Sequence, residues 1–170
     1  MPDAPPTTFH FTHRRQVEFA DTDLAGIVHF ANFFRYVETA EHAFFRSLGH
    51  APHAAAASGS GHHGWPRLET SCRYHRPARF EETLEIGLRL LELRTTSLRY
   101  GFWIFSLDPA EPASLSARSA RSLLVDGAFA IIHVALTPSP PFLQKAPIPA
   151  DLRTRLASFL PSVSSESITG

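Results

Sequence analysis

The chain has 170 residues, enough for one domain to enclose a hydrophobic core without covalent staples. Apolar residues make up 44% of it and charged residues 19%, a globular balance rather than a disordered one. The 16 basic residues offset the 16 acidic ones, so net charge gives no case for a polyanionic partner, and the single cysteine, Cys72, excludes an internal disulfide or a multi-cysteine metal centre.

Residues 1–7 are proline-rich and are expected to be frayed. Met1 to Thr8 shows no basic region followed by an apolar run, so it does not read as a secretory leader. No apolar stretch reaches the roughly 18 residues that span a bilayer. The expectation is a cytoplasmic protein. Residues 9–19 alternate as a strand, with Phe9, Phe11, Val17 and Phe19 apolar. A turn-rich segment follows, 20–28.

From Phe30 to Leu48 apolar residues recur at 30, 33, 34, 37, 40, 44, 45 and 48, which predicts a helix with one broad apolar face, closed by Gly49. Its phenylalanines make it a core element. At about 100° per residue Glu41 falls in the middle of that face, an unusual position for a carboxylate. Residues 50–64 read as a low-complexity loop that includes His62-His63. Three alternating strands follow: Leu68, Thr70, Cys72 and Tyr74 share a face of the first, and Leu84, Ile86, Leu88 and Leu90 a face of the second. The third, 98–107, is apolar on both sides, which suggests that its outer face meets another subunit. A loop at 108–116 leads to a long strand, 123–136, where Asp126-Gly127 is expected to mark a bulge. A short helix, 151–160, and a polar tail complete the chain. One helix against one antiparallel sheet makes an α+β two-layer domain, with 8–160 as its extent and 161–170 as the tail.

Chemistry concentrates in Asp21-Thr22-Asp23-Leu24-Ala25-Gly26-Ile27-Val28-His29-Phe30-Ala31-Asn32-Phe33. The segment ends a strand, turns tightly and opens a buried helix. A carboxylate there sits beside unsatisfied N–H groups at the positive end of the helix dipole, which can hold an oxyanion. That combination suits acyl transfer. On the residues alone, Asp21 and Asp23 are equally readable as turn and capping residues.

This run resembles the signature of the 4-hydroxybenzoyl-CoA thioesterase family, a branch of the hotdog superfamily that includes short-chain acyl-CoA and 1,4-dihydroxy-2-naphthoyl-CoA hydrolases. The resemblance continues through Arg35, Glu38 and Ala40 and returns at residues 74–86, with a fainter echo at 146–149. It implies a hotdog fold, an antiparallel sheet wrapped around one long central helix, and hydrolysis of an acyl-CoA thioester without a cofactor. It implies that Asp23 is the catalytic carboxylate, as nucleophile or as general base, and that the Phe30 backbone N–H is the oxyanion donor. Gly26, Ile27, Val28 and Phe33 would line the substrate, and Arg73, Arg76 and Arg79 are candidates for the CoA nucleotide. The site would lie at the interface of a homodimer, with a homotetramer as the expected assembly.

His29 stands where relatives often carry an aromatic residue; it either fills that slot or assists proton transfer. Glu41 is either a second catalytic carboxylate or a glutamate paired with an arginine. The ten histidines hold no ligand spacing that argues for a metal. No phosphate-binding glycine loop or Gly-x-Ser-x-Gly elbow occurs. A hotdog dehydratase and a non-catalytic acyl-CoA or acyl-carrier binder are the alternative functions. The apolar helix favours an aromatic or medium-chain acyl group.

Overall fold

The computed structural model describes residues 5–50, 62–107 and 121–161. Residues 51–61 of the loop read at 50–64, the 108–116 loop and most of the polar tail lie outside the described residues, while His62–Gly64, read as part of that loop, is a strand because it pairs with residues 134–136. The elements run β1 (Phe11–Gln16), α1 (Asn32–Ser47), β2 (His62–Gly64), β3 (Arg67–Tyr74), β4 (Thr83–Leu93), β5 (Ser97–Ser106), β6 (Ser122–Ile132), β7 (Val134–Leu136), β8 (Leu143–Lys145) and α2 (Ala150–Ala157). Five strands form one antiparallel sheet in the order β1-β4-β5-β6-β3. β2, β7 and β8 form a second, three-stranded sheet that the sequence reading did not anticipate. No helix among the described residues is long and apolar enough to cross a membrane.

The periodicity of α1 explains its position. Phe33, Tyr36, Val37, Ala40, Phe44 and Phe45 form its buried stripe. The inner sheet face supplies Leu84, Ile86, Leu88 and Leu90 from β4 and Tyr100, Phe102 and Ile104 from β5, all buried. Phe44 sits centrally, its ring 5.3 Å from Phe11 on β1, 6.3 Å from Tyr100 and 5.3 Å from Phe159 just beyond α2. Burying each such ring contributes about 2–3 kcal/mol, so helix and sheet stabilise each other. The fold is the α+β sheet-around-helix arrangement that the sequence implied.

Several boundaries differ from expectation for identifiable reasons. β1 stops at Gln16 because the chain breaks at Glu18 into a single 3-10 turn, Phe19–Asp21, which leaves Phe19 exposed. The helix begins at Asn32 rather than residue 30, so Phe30 stands in the preceding turn. The run read as one strand over 123–136 divides at His133. Its backbone N–H donates to Thr96 O at 2.7 Å and its Nδ1 donates to the carbonyls of Ala146 and Pro147, at 3.2 and 2.8 Å. These bonds lead β7 out of the main sheet. The bulge lies at Leu124, not at Asp126-Gly127: Ile104 pairs with Val125 and Phe105 with Leu123, whereas Asp126 and Gly127 pair regularly with Trp103 and Phe102. Gly127 has a different purpose. A Cβ there would collide with the Ser71 carbonyl oxygen and the Phe102 ring.

The outer sheet face is less naked than its composition suggests. Trp103 and Phe105 are buried, and Phe9 lies across them with ring centroids 5.7 and 6.0 Å away. The Arg121 guanidinium sits 4.2 Å from the Phe105 ring centroid. Part of the apolar surface ascribed to a neighbouring subunit is therefore covered by the chain itself.

Candidate active site

Between β1 and α1 the chain makes a compact loop whose bonds can be followed one by one. Asp21 is buried and anchors it. Its Oδ2 accepts from the Glu18 N–H at 3.0 Å and from Arg15 Nη2 at 3.2 Å. Burial pushes the Asp21 carboxyl up, but the Glu18 N–H, the nearby Tyr36 hydroxyl and the Arg15 guanidinium outweigh it and hold the group below its ordinary value. The Asp21 carbonyl accepts from the His29 N–H at 2.9 Å and from Asn32 Nδ2 at 2.8 Å, which ties the loop to the first residue of α1.

Residues 22–28 double back as a small hairpin, with a bridge between Thr22 and Val28. The Asp23 N–H donates to Ile27 O at 2.9 Å, and the Gly26 N–H donates to Asp23 O at 3.0 Å. Gly26 adopts φ +70°, a conformation that a side chain would strain. Asp23 itself is exposed. Its Oδ1 accepts the Ala25 N–H at 2.8 Å, and its Oδ2 has no partner among the described residues. The two aspartates thus meet opposite fates: one is consumed by structure, the other faces out with a free oxygen.

Beyond the hairpin, the N–H groups of residues 28, 29, 31 and 32 are all engaged. Val28 donates to Ala78 O at 2.9 Å, His29 to Asp21 O, Ala31 to His29 Nδ1 at 3.3 Å, and Asn32 to His29 O at 2.9 Å. The Phe30 N–H is the one in this run without a partner among the described residues. It stands two residues before the start of α1, where the helix field is positive. His29 uses its Nδ1 lone pair on the Ala31 N–H, so in the neutral ring the proton resides on Nε2; its ring lies 4.4 Å from that of Phe30.

The other residues singled out from sequence are distributed as follows. Ile27 is half-buried and bridges Arg79, while Val28 is buried in the core. The Phe33 side chain also belongs to the core, packed 5.9 Å from Tyr36 and 5.8 Å from Tyr74. Arg73, Arg76 and Arg79 are exposed at the end of β3 and in the turn after it, with no ion pair among the described residues. Glu41 stays apart, about 14 Å along the helix axis from Asn32 at 1.5 Å per residue. It is buried, and its Oε2 accepts from Arg67 Nη2 at 2.6 Å. Burial pushes its carboxyl up to about 7, against the pull of Arg67. The arginine pairing expected as one of its two readings is present. No cluster of three or more His, Cys, Asp or Glu suited to a metal ion occurs among the described residues.

Sequence reasoning missed two contributors. Asn32 closes the loop onto Asp21, and the Tyr74 hydroxyl donates to Phe30 O at 3.2 Å. Asn at a helix start is a recognisable signal; the Tyr74 contact links residues 44 apart in sequence, and no local pattern announces it.

The stretch that holds Asp23 also exposes the apolar side chains of Phe19, Leu24 and Phe30, and the exposed Phe80 meets Phe19 in edge contact at 6.0 Å. No enclosed cavity described within one chain is lined by Asp23. A groove of about 390 Å³ does open between α1 and β3, lined by Phe34, Val37, Thr70 and Phe129, with Arg35, Glu38 and Arg67 at its edges.

Residues 25–113 match the model of a family described as the thioesterase superfamily. A protein of Aquifex aeolicus (strain VF5) named "Putative esterase" is 34% identical over 100 residues, which is 59% of this chain and 76% of that protein. The crystal structure of a 1,4-dihydroxy-2-naphthoyl-CoA thioesterase from Synechocystis superposes with a TM-score of 0.68 at 25% identity, covering 86% of this chain and 95% of that one. A mutant 4-hydroxybenzoyl-CoA thioesterase complexed with 4-hydroxybenzoyl-CoA gives a TM-score of 0.71 at 20% identity, over 85% of this chain and 96% of its own, a likeness of fold. With its family-model match, its esterase-named relative and its sheet-around-helix fold, the chain belongs to the thioesterase superfamily.

Proposed function

We propose that this protein hydrolyses an acyl-CoA thioester, with Asp23 as the catalytic carboxylate and the Phe30 N–H as oxyanion donor. One observation carries the reading. The exposed Asp23 carboxylate and the unpartnered Phe30 N–H belong to one loop, rigidly bonded on either side, at the start of a core helix. An electrophilic carbonyl held there has a carboxylate in reach and a donor for the charge that develops on its oxygen.

Two routes use these parts. In one, an Asp23 oxygen attacks the thioester carbonyl, the tetrahedral oxyanion collapses, the C–S bond breaks, and CoA leaves as a thiol after taking a proton from solvent. Water then cleaves the acyl-aspartyl anhydride to free acid and regenerated carboxylate. In the other, Asp23 takes the proton of a water that attacks directly. Neither route needs a metal or cofactor. His29, its ring 4.4 Å from that of Phe30, is placed to fill the aromatic slot or to assist proton transfer, and Gly26 permits the turn that presents Asp23.

The site is open within one chain, and the apolar side chains around it favour a second copy as its other wall, in a homodimer that pairs into a homotetramer. Arg73, Arg76 and Arg79 are suited to the CoA phosphates because they carry no ion pair among the described residues and sit at the end of β3 and on the turn after it, which touches the Asp23 loop. The α1–β3 groove offers an apolar channel for an aromatic or medium-chain acyl group. A cytoplasmic enzyme with residues 8–160 as its catalytic domain fits this reading. The test is a panel of acyl-CoAs (hydroxybenzoyl, dihydroxynaphthoyl, benzoyl and straight chains of graded length) assayed for thiol release by kcat/KM. Aromatic or medium-chain substrates should lead the panel. A lead by acetyl-CoA would refute the acyl assignment, and release from none would refute the activity.

A further inference from the structure

Outside the loop, one buried acid is engaged in an unexplained bond. Asp126 on β6 is 6% exposed, and its Oδ1 is bonded to Nε2 of His75, whose side chain is 39% exposed. In register Asp126 faces Arg73 and Trp103, on the sheet face opposite α1. A carboxylate buried at this depth needs a partner, and losing it leaves an uncompensated charge. The partner is drawn from the first residue beyond β3, where the strand leaves the sheet.

The surroundings show what that bond holds. The bulge at Leu124 turns one carbonyl toward the end of β3, and it accepts from both the His75 N–H at 2.7 Å and the Arg76 N–H at 3.3 Å. The end of β3 is thus fixed to β6 by two backbone bonds and one side-chain bond. That same end grips the Asp23 loop at two points. Tyr74, one residue before His75, donates its hydroxyl to Phe30 O at 3.2 Å. Ala78, three residues after it, accepts the Val28 N–H at 2.9 Å, and Arg79 bridges Ile27. Besides the Arg15–Asp21 pair from β1, the loop's contacts with the sheet pass through residues 74–79, and His75 secures their base.

We propose that His75 and Asp126 form a clasp that positions the active-site loop. They act through Tyr74 and Ala78 to set the Phe30 N–H against Asp23, without touching substrate. Both are positioning residues. The inference rests on the functional reading of Asp23 and Phe30 and adds to it a dependence on two residues on the far side of the sheet. Misplacing reacting groups by a fraction of an ångström to an ångström costs about ten- to a hundredfold in rate. The loss belongs in kcat, because the clasp fixes backbone that sets the Phe30 N–H, whereas the long arginine side chains on the same turn are exposed and can still reach the CoA phosphates by changing rotamer.

The test compares the full-length wild type with Asp23→Asn, His75→Ala, His75→Gln and the double variant His75→Leu/Asp126→Leu, using the best acyl-CoA of the panel. The double variant removes the buried charge together with its partner and so guards against simple unfolding. His75→Ala should lower kcat by about tenfold or more with KM within about twofold. Glutamine, whose side-chain N–H can reach Asp126, should restore most of the loss, and the double variant should stay folded by circular dichroism yet show the same fall in kcat. Wild-type kcat in a folded His75→Ala or double variant, a change confined to KM, or a loss that glutamine does not restore would each overturn the clasp. Wild-type rates in Asp23→Asn would instead overturn the functional reading beneath it.

Discussion

Asp21 and Glu41 show how far apart two buried carboxylates of one small protein can lie in chemistry. Asp21 accepts from Glu18 and Arg15 and is held below its ordinary value, whereas Glu41 has one partner, Arg67, and an Oε1 with none among the described residues. Burial prevails at Glu41 and moves it from its ordinary 4.5 to about 7. The sign of the consequence follows from proton counting. Between those values the folded protein holds a proton that the unfolded chain has released, so stability declines as pH rises from about 4.5 to 7 and levels off above. Glu41→Gln removes that component. The gap in Tm between wild type and Glu41→Gln should therefore shift against the wild type across this window, and melting curves that run parallel from pH 4.5 to 7 would contradict the environment described. Glu41 could be placed on the buried face from the helical period alone. Its partner could not, because Arg67 comes from a strand 26 residues away.

At the scale of elements, α1 was legible because an apolar stripe at period 3.6 admits few alternatives. The inner faces of β4 and β5 were legible from their alternation. Features that failed to appear in the sequence depend on distant partners. His133 diverts its strand because carbonyls at 146 and 147 receive its ring, and Phe9 covers Trp103 from nearly 100 residues away. The expected bulge at Asp126-Gly127 came from reading glycine as a kink; here it permits close approach. Gly127→Ala tests this. With the Ser71 carbonyl and the Phe102 ring in the way of a Cβ, the substitution should cost about 1–3 kcal/mol and lower Tm by several degrees, roughly 3–10 °C. An unchanged melting temperature would mean that the β3–β6 contact is looser than described. The candidate site was legible only in part: the motif points to Asp23 and Phe30 as candidates, while the contacts of Asn32, Tyr74 and the His75–Asp126 pair needed the folded chain.

For the whole molecule, the open setting of Asp23 is the dominant fact. Asp23 is exposed in a loop that also exposes Phe19, Leu24 and Phe30, with Phe80 against Phe19, and among the described residues β3 is an edge strand of the main sheet. A hydrolase needs water controlled and substrate enclosed, so a second copy should complete the pocket. Sedimentation velocity at micromolar concentration should show a dimer or tetramer; a monomer that turns over acyl-CoA at full rate would contradict the shared site. The coverage of Trp103 by Phe9 indicates that the apolar outer face alone does not compel this assembly. The exposed setting of the proposed active-site loop is the stronger reason.

The most direct measurement is the turnover of Asp23→Asn on an acyl-CoA that the wild type hydrolyses, with circular dichroism of the same sample. Asparagine keeps the size of the side chain and the Oδ1 acceptor that holds the Ala25 N–H at 2.8 Å, so the loop retains its shape. It removes the charge that we propose attacks the thioester or activates water. The expected result is a folded protein whose kcat falls by about a hundredfold or more. A folded Asp23→Asn protein that releases CoA at the wild-type rate would contradict the assignment of catalysis to this carboxylate.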